Sequence, residues 1–338
     1  MKLSALTFLL LVAGGVAAVP VEDAVGAVET ESSLDEVTTF DLDAGDILVT
    51  SADDIFTPDD TDGTLVIPYE DDSLECGDTL TQSQITTIET EFSSALSTFS
   101  AQSAEVIAAA AVKRSAIPVV WHVIYTSKTV AGGNISDAAV KKSISALNTH
   151  FKGSGFGFKL KQIKRKKNTN WFKKMTGNGT TDSYMIAMKN ALHTGDASTL
   201  NIYSVAFADG TGGWATFPWN YHRSPKQDGV VIQFNTYPGG SFKNYNQGKI
   251  LTHEVGHWLG LYHTFQGLSC SGKGDYIADT PQQQTKSWGC PASKDTCPNI
   301  SGGDNIHNYM DYTYDKCKTK FTKGQITRAT QMSNAYRF

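Results

Sequence analysis

Leu251 to His263 (LTHEVGHWLGLYH) constrains this chain more than any other stretch. It holds an H-E-x-x-H pair, followed at fixed offsets by Gly260 and His263. In a helix, positions i and i+4 lie about 40° apart around the axis, so His253 and His257 project from one face. Two imidazoles so placed chelate one ion, and Glu254 beside them reaches a water held in the same shell. Leu251, Val255, Trp258 and Leu259 supply apolar surface to anchor the helix. Gly260 has no Cβ and takes the left-handed conformation that ends a helix. The chain then turns back and offers His263 as a third ligand. Three protein nitrogens with one open position are the pattern of a catalytic zinc. Any one of these histidines alone reads as a hydrogen-bonded structural residue, and a bare H-E-x-x-H arises by chance. The extended spacing, with Gly260 and His263, does so far more rarely.

The remainder of the 338 residues divides sharply by charge. Residues 19–114 carry 22 acidic and 2 basic side chains, whereas residues 115–338 carry 12 acidic and 26 basic ones. Such a split predicts an acidic segment that masks a basic domain; a solvated acidic tail is the plainer alternative. Met1-Lys2, an apolar run from Leu3 to Val16 and the small residues Val16-Ala17-Ala18 read as a secretory signal peptide cut after Ala18. That run is too short for a spanning helix, and no longer one follows, so no membrane partner is expected. Secretion permits disulfides and gives meaning to three sequons, at Asn134, Asn178 and Asn299. Lys113-Arg114 falls where the charge changes sign and reads as a processing site. Residues 19–114 are therefore read as a propeptide and residues 115–338 as the mature domain.

Periodicity sketches that domain. Ile117–Tyr125 reads as a first strand and Ser136–Phe151 as an amphipathic helix with Ser136 as its N-cap. Strands are expected over Phe156–Ile163, Leu200–Phe207 and Gly229–Phe234, a cleft-rim strand over Trp214–Phe217, and a last helix over Lys323–Tyr336. The basic run Lys159–Lys167 reads as a solvated strand edge or loop; with no stacking motif beside it, nucleic acid is not an expected partner. Cys270, Cys290, Cys297 and Cys317 follow the histidine motif and read as two disulfides with three connectivities open. Their spacing lacks paired C-x-x-C, which argues against a structural zinc. Cys76 is left over in Leu74-Glu-Cys-Gly-Asp78. Its thiolate would fill the open metal position, a latency switch, although an incidental free thiol is the plainer reading.

The surroundings narrow the match. Gly210–Pro218 (GTGGWATFP), Asp228–Ile232 (DGVVI), Leu251–Phe265, Gly274–Pro281 (GDYIADTP), Gly289-Cys-Pro291, Asp304–Tyr312 (DNIHNYMDY) and Phe321–Gln325 (FTKGQ) resemble the pappalysin family of metzincin zinc endopeptidases, in its secreted fungal branch. The resemblance covers about residues 117–338. It implies an α+β zincin-like domain with a twisted mixed sheet, an active-site helix and an irregular, disulfide-stapled C-terminal subdomain. The upper part would span about 115–260 and the lower about 261–338.

The resemblance also implies roles. His253, His257 and His263 would bind one Zn2+, and Glu254 would be the general base. Met310 would form the apolar floor of a Met-turn, and Tyr312 would stabilise an oxyanion, with a core tyrosine as the alternative. The bridges would be Cys270–Cys297 and Cys290–Cys317. Peptides would pair as an extra strand against the rim, and Asp315 and Lys316 would border the pocket after the cut. Ca2+ would find oxygen-rich segments around Asp275, Asp279 and Asp304, without EF-hand spacing. The expected partners are protein or peptide substrates and the chain's own propeptide as inhibitor, on a secreted monomer. The competing function is a secreted binding module that keeps the fold without chemistry; an intact Glu254 speaks against it.

Overall fold

The computed structural model describes residues 75–77, 80–100 and 116–338, all in one compact unit. The expected signal peptide, residues 1–18, and the dibasic pair Lys113-Arg114 lie outside the described residues.

In chain order the elements are β1 (Glu75–Cys76), α1 (Gln82–Ser100), β2 (Ile117–Tyr125), α2 (Asp137–His150), β3 (Phe158–Lys167), α3 (Thr169–Lys173), α4 (Ser183–Leu192), β4 (Leu200–Val205), β5 (Thr211–Ala215), β6 (Val230–Gln233), α5 (Lys249–Trp258) and α6 (Lys323–Tyr336). The six strands form one sheet in the order β1-β5-β6-β4-β2-β3. β2, β3, β4 and β6 run parallel, whereas β5 pairs antiparallel with β6 and β1 parallel with β5. This is the expected α+β mixed sheet.

Sequence chemistry explains the elements closest to the site. β2 is β-branched and aromatic, sits between two neighbours and is buried along nearly its whole length. α2 begins where Ser136 Oγ accepts the Ala139 N–H, and it buries Val140, Ile144 and Leu147. It packs beside α5 against the sheet. β3 extends to Lys167, beyond the Ile163 expected, and starts at Phe158. Its pairing with β2 continues to Tyr125↔Lys167, so the basic run is a strand at the sheet edge with most of its cations in solvent. The rim strand β5 ends at Ala215, earlier than Phe217, because Pro218 opens a short 3-10 turn.

Between Trp258 and Lys323 no helix or multi-residue strand forms; two disulfides, Cys270–Cys297 and Cys290–Cys317, tie this stretch. α6 closes the chain with a reciprocal capping box between Thr322 and Gln325. Its end is clamped to α5. Arg337 makes a two-pronged ion pair to buried Asp228 (3.0 Å on each prong), lies 3.7 Å above the Trp258 ring and donates from Nε to Trp258 O. Asp228 also accepts from Trp258 Nε1 at 2.9 Å, so its charge is fully used.

Candidate active site

α5 carries His253, Glu254 and His257, and every residue of the helix is buried. Leu259 caps it, and Gly260 at φ 97° turns the chain away; a Cβ there would stand 2.7 Å from the Met332 side chain. The turn brings His263 back beneath the helix. The three Nε2 atoms then lie 3.1–3.2 Å from one another. Three imidazole nitrogens aimed at one point cannot satisfy each other by hydrogen bonding. A tetrahedral zinc at about 2.0–2.1 Å from each would space them about 3.3 Å apart, so the donor set fits that ion.

The outer nitrogens are already committed. His253 Nδ1 donates to Tyr309 O and His257 Nδ1 to Leu261 O, each at 2.7 Å, which leaves both Nε2 lone pairs facing inward. Burial holds His253 and His263 well below the usual imidazole range and His257 at about 4, so all three are neutral ligands at physiological pH.

The floor is built from Asn308–Tyr312. Met310 is fully buried, with Sδ where a side chain at Gly256 of α5 would project. The turn is tied to α6 by a reciprocal amide pair between Asn308 and Gln325 (2.9 and 3.0 Å), and Asn308 Oδ1 also accepts from Met310 N–H. Asp311 accepts from the Ser287 and Tyr312 N–H groups and from Gln283 Nε2, which fixes the Tyr312 ring edge-on to His263 at 5.0 Å.

The roof is β5. A Cβ at Gly213 would stand 2.4 Å from Glu254 Oε1, so only glycine lets the strand pass this close to the carboxylate. Its free edge is taken by β1, with Cys76 opposite Gly213 and Gly77 N–H donating to Gly213 O at 3.1 Å.

Cys76 thereby enters the centre. Its Sγ and the three histidine nitrogens all lie within 4.8 Å of one another, and its thiol faces Glu254 Oε2 at 3.4 Å. The Tyr312 hydroxyl accepts from Cys76 N–H (3.1 Å) and donates to Cys76 C=O (3.2 Å). A second contact lies on α1. Glu89 makes a two-pronged ion pair with Arg328 (2.6 and 3.0 Å) and accepts from the Tyr262 hydroxyl at 2.9 Å. Ile85 packs with Phe217 and Tyr262, and the Arg328 guanidinium lies 5.6 Å from the Phe92 ring.

Other expected residues fall elsewhere. Lys316 is exposed and Asp315 is fully buried, where it accepts from Gln247 N–H at 2.8 Å; the cation that lines the cavity beside Glu254 is Lys318. The segment after the Met-turn is irregular, and no periodicity in the sequence marks which lysine turns inward. Asp275, Asp279 and Asp304 do not converge. Asp275 accepts from Thr280 Oγ1, Asp279 from Gly324 N–H and Asp304 from Thr296 N–H. Asn178 and Asn299 are exposed, while both ends of the Asn134 amide are used, on Arg165 and Lys128 O. Glu89, Arg328 and Lys318 carried no signal in the sequence; Asp228 and Arg337 also went unassigned, although Asp228 opens the DGVVI stretch.

Sheet, active-site helix, returning histidine and Met-turn define a metzincin-type metalloendopeptidase. The chain belongs to the pappalysin family. The profile of that family, Peptidase_M43, described as "Pregnancy-associated plasma protein-A", matches residues 191–334. An extracellular metalloprotease of Sordaria macrospora is 43% identical over 224 residues, covering 65% of this chain and 75% of its own. One from Arthroderma benhamiae is 41% identical over 255 residues, covering 74% and 88%. Among solved structures, mature mirolysin of Tannerella forsythia, in complex with a cleaved peptide, is 31% identical with a TM-score of 0.55 and covers 67% of this chain and 97% of its own. A promirolysin mutant is 30% identical with a TM-score of 0.58, covering 78% and 94%.

Proposed function

We propose that this chain is a secreted zinc endopeptidase made as a latent precursor, with residues 1–18 as signal peptide, 19–114 as propeptide and 115–338 as the mature enzyme after cleavage at Lys113-Arg114. The observation that carries the latency is Cys76. Its sulfur joins the three histidine nitrogens, its thiol meets Glu254, and its backbone takes the Tyr312 hydroxyl. The match to promirolysin, over more of the chain than residues 116–338 make up, supports this reading.

His253, His257 and His263 would hold the ion, their inner nitrogens kept free by the carbonyls on their outer ones. Zinc so bound supplies Lewis-acid chemistry, making water more acidic and polarising the scissile carbonyl. Glu254 takes the proton from the attacking water and passes it to the leaving amide nitrogen. With β1 gone, the β5 edge pairs with the substrate backbone, as strand addition requires. The Tyr312 hydroxyl, released from Cys76, donates to the oxygen on which negative charge develops. Met310 keeps water out from below. The extracellular relatives and the two disulfides support secretion, and Asn178 and Asn299 are the sequons best exposed for glycans. We read the enzyme as a monomer.

The test is a quenched-peptide assay on secreted protein before and after processing, with molecular mass recorded. Wild type is compared with Glu254→Ala, with and without a zinc chelator. Activity is expected only in the processed form, lost to the chelator and reduced about 10²–10⁴-fold by Glu254→Ala. Full activity of the intact precursor would end the latency reading; activity indifferent to Glu254 would end the assignment of the base.

A further inference from the structure

Lys318 is a fully buried cation that the mechanism above does not use. Its ammonium lies 5.8 Å from the centre of the Tyr245 ring. Burying an ammonium is costly, so a side chain held this way needs compensation. Burial pushes the Lys318 ammonium below the usual lysine range, and the carboxylates of Asp315, Asp311 and Glu254 act against that shift. Asp315 is itself pinned by the Gln247 and Lys249 N–H groups, so the compensation comes from a fixed base. The segment is anchored further by Lys249 Nζ, which donates to the Lys318 carbonyl at 2.8 Å.

What Lys318 faces is more informative. With Cys76, Gly213, Ile250, His253, Glu254 and Tyr312 it lines a small cavity at the catalytic centre. Removal of β1 would open that cavity to the cleft. Its position on the Glu254 side decides which substrate residue would enter. Glu254, as the base, returns its proton to the leaving nitrogen, so the residue bearing that nitrogen lies on the Glu254 side of the scissile bond. The side chain next to that nitrogen is the one within reach of the cavity. The rest of the wall is apolar or already committed, and Lys318 is the charged group there that the reaction leaves unused.

The geometry points to Lys318 as the specificity residue of this enzyme: its buried ammonium receives a substrate carboxylate, selecting Asp or Glu immediately after the cut. This rests on the peptidase reading and on Glu254 as its base. A charge-assisted hydrogen bond to a preformed cation in a water-poor cavity is strong, and a basic side chain at that position would meet like charge there, a discrimination by repulsion as well as attraction.

The test uses enzyme obtained by processing the full chain. It cleaves matched peptides that differ only in the residue after the scissile bond, Glu against its neutral isostere Gln and against Lys. Wild type is expected to prefer Glu over Gln at least tenfold in kcat/KM, with Lys poorest. Lys318→Met should collapse the Glu-to-Gln ratio toward one, Lys318→Arg should keep it, and Lys318→Glu should move the preference to Lys. The wild-type comparison needs no variant, so a misfolded variant does not shelter the idea. Cleavage that requires Glu254 but shows no Glu-over-Gln preference, or prefers Lys, overturns the inference alone. Cleavage indifferent to Glu254→Ala overturns the reading beneath it and the inference with it.

Discussion

Two contacts join the N-terminal segment to the catalytic body, and they are built on different physics. β1 is two residues long and, on the latency reading proposed above, works by blockade: a strand edge, a thiol and two hydrogen bonds to one tyrosine, all beside the histidine cluster. α1 is 19 residues long and anchors on Arg328, Tyr262 and Phe217. It works by burial, with Ile85 and Phe92 under cover and Glu89 locked on Arg328 and Tyr262. Two residues of strand cannot supply much affinity, and an ion pair remote from the histidines cannot stop chemistry. We read the division as one contact setting activity and the other setting residence, which makes them separable by mutation.

The largest expected effect is on the blockade. Cys76→Ala removes the sulfur but leaves α1 docked. The intact chain should then cleave a short peptide about a thousandfold faster than intact wild type, some 4 kcal/mol of barrier. A rate assay on unprocessed protein of verified mass checks it. A Cys76→Ala precursor as silent as wild type would mean that β1 pairing or α1 alone keeps the enzyme latent.

Glu89→Ala addresses residence. It strands Arg328, whose guanidinium is mostly buried, although Nε keeps its bond to Gly260 O and the ring of Tyr262 still lies 4.7 Å away. The expected loss is near the lower end of about 3–5 kcal/mol, confined to α1 docking. Limited proteolysis should cut α1 in this variant well before any other region, while the intact chain stays latent through Cys76. If Glu89→Ala activated the precursor as strongly as Cys76→Ala, the division of labour would be wrong.

Acid acts on the body that both contacts share. His122 is buried against Tyr203, 4.5 Å between rings, with Nε2 on Asn201, and burial lowers its pKa from 6.5 to about 4. Above pH 6.5 both folded and unfolded chains hold a neutral ring. As pH falls from 6.5 toward 4 only the unfolded chain takes up the proton, so stability declines through that window, by at most about 3 kcal/mol from this group. Thermal unfolding of the precursor between pH 7 and 4.5 should show the decline, and His122→Phe should lessen it; His150, which burial also lowers to about 4, contributes in the same window. Because the loss comes from the body, both contacts should fail together; release of α1 well before global unfolding would show that its docking has a pH dependence of its own.

The two contacts also differ in how far they could be read from the sequence. The zinc helix, the returning histidine, the Ser136 cap, the first strand and the last helix were legible because each is written in neighbouring residues: a spacing, a cap, a run of β-branched side chains. Cys76 stood out only because four other cysteines paired off. The α1 contact was invisible. Glu89 and Arg328 are 239 positions apart, and one glutamate among many in an acidic segment has nothing to mark it. The same holds for Asp228 and Arg337, 109 apart. β3 outran its apolar pattern because its partner strand, not its own side chains, decides where pairing stops. Which of Lys316 and Lys318 turns inward was not legible, because alternation predicts facing only inside regular elements, and the stretch after Met310 is irregular.

The smallest effect sharpens the blockade itself. Tyr312 holds both backbone groups of Cys76, and Tyr312→Phe removes that hydroxyl while keeping the ring against His263 and Phe265. About 1 kcal/mol of β1 docking should go, roughly a fivefold change in how often the thiol is exposed. Peptide cleavage is the wrong readout here, since the same hydroxyl is assigned to the oxyanion. Alkylation of Cys76 in the intact chain avoids that conflict, because it reports opening without requiring turnover. Labelling should run about fivefold faster in Tyr312→Phe. In Glu89→Ala it should change less, because α1 can loosen while the strand stays in place. Equal acceleration by both variants would show that β1 and α1 leave as one unit, and the two contacts would then be a single latch.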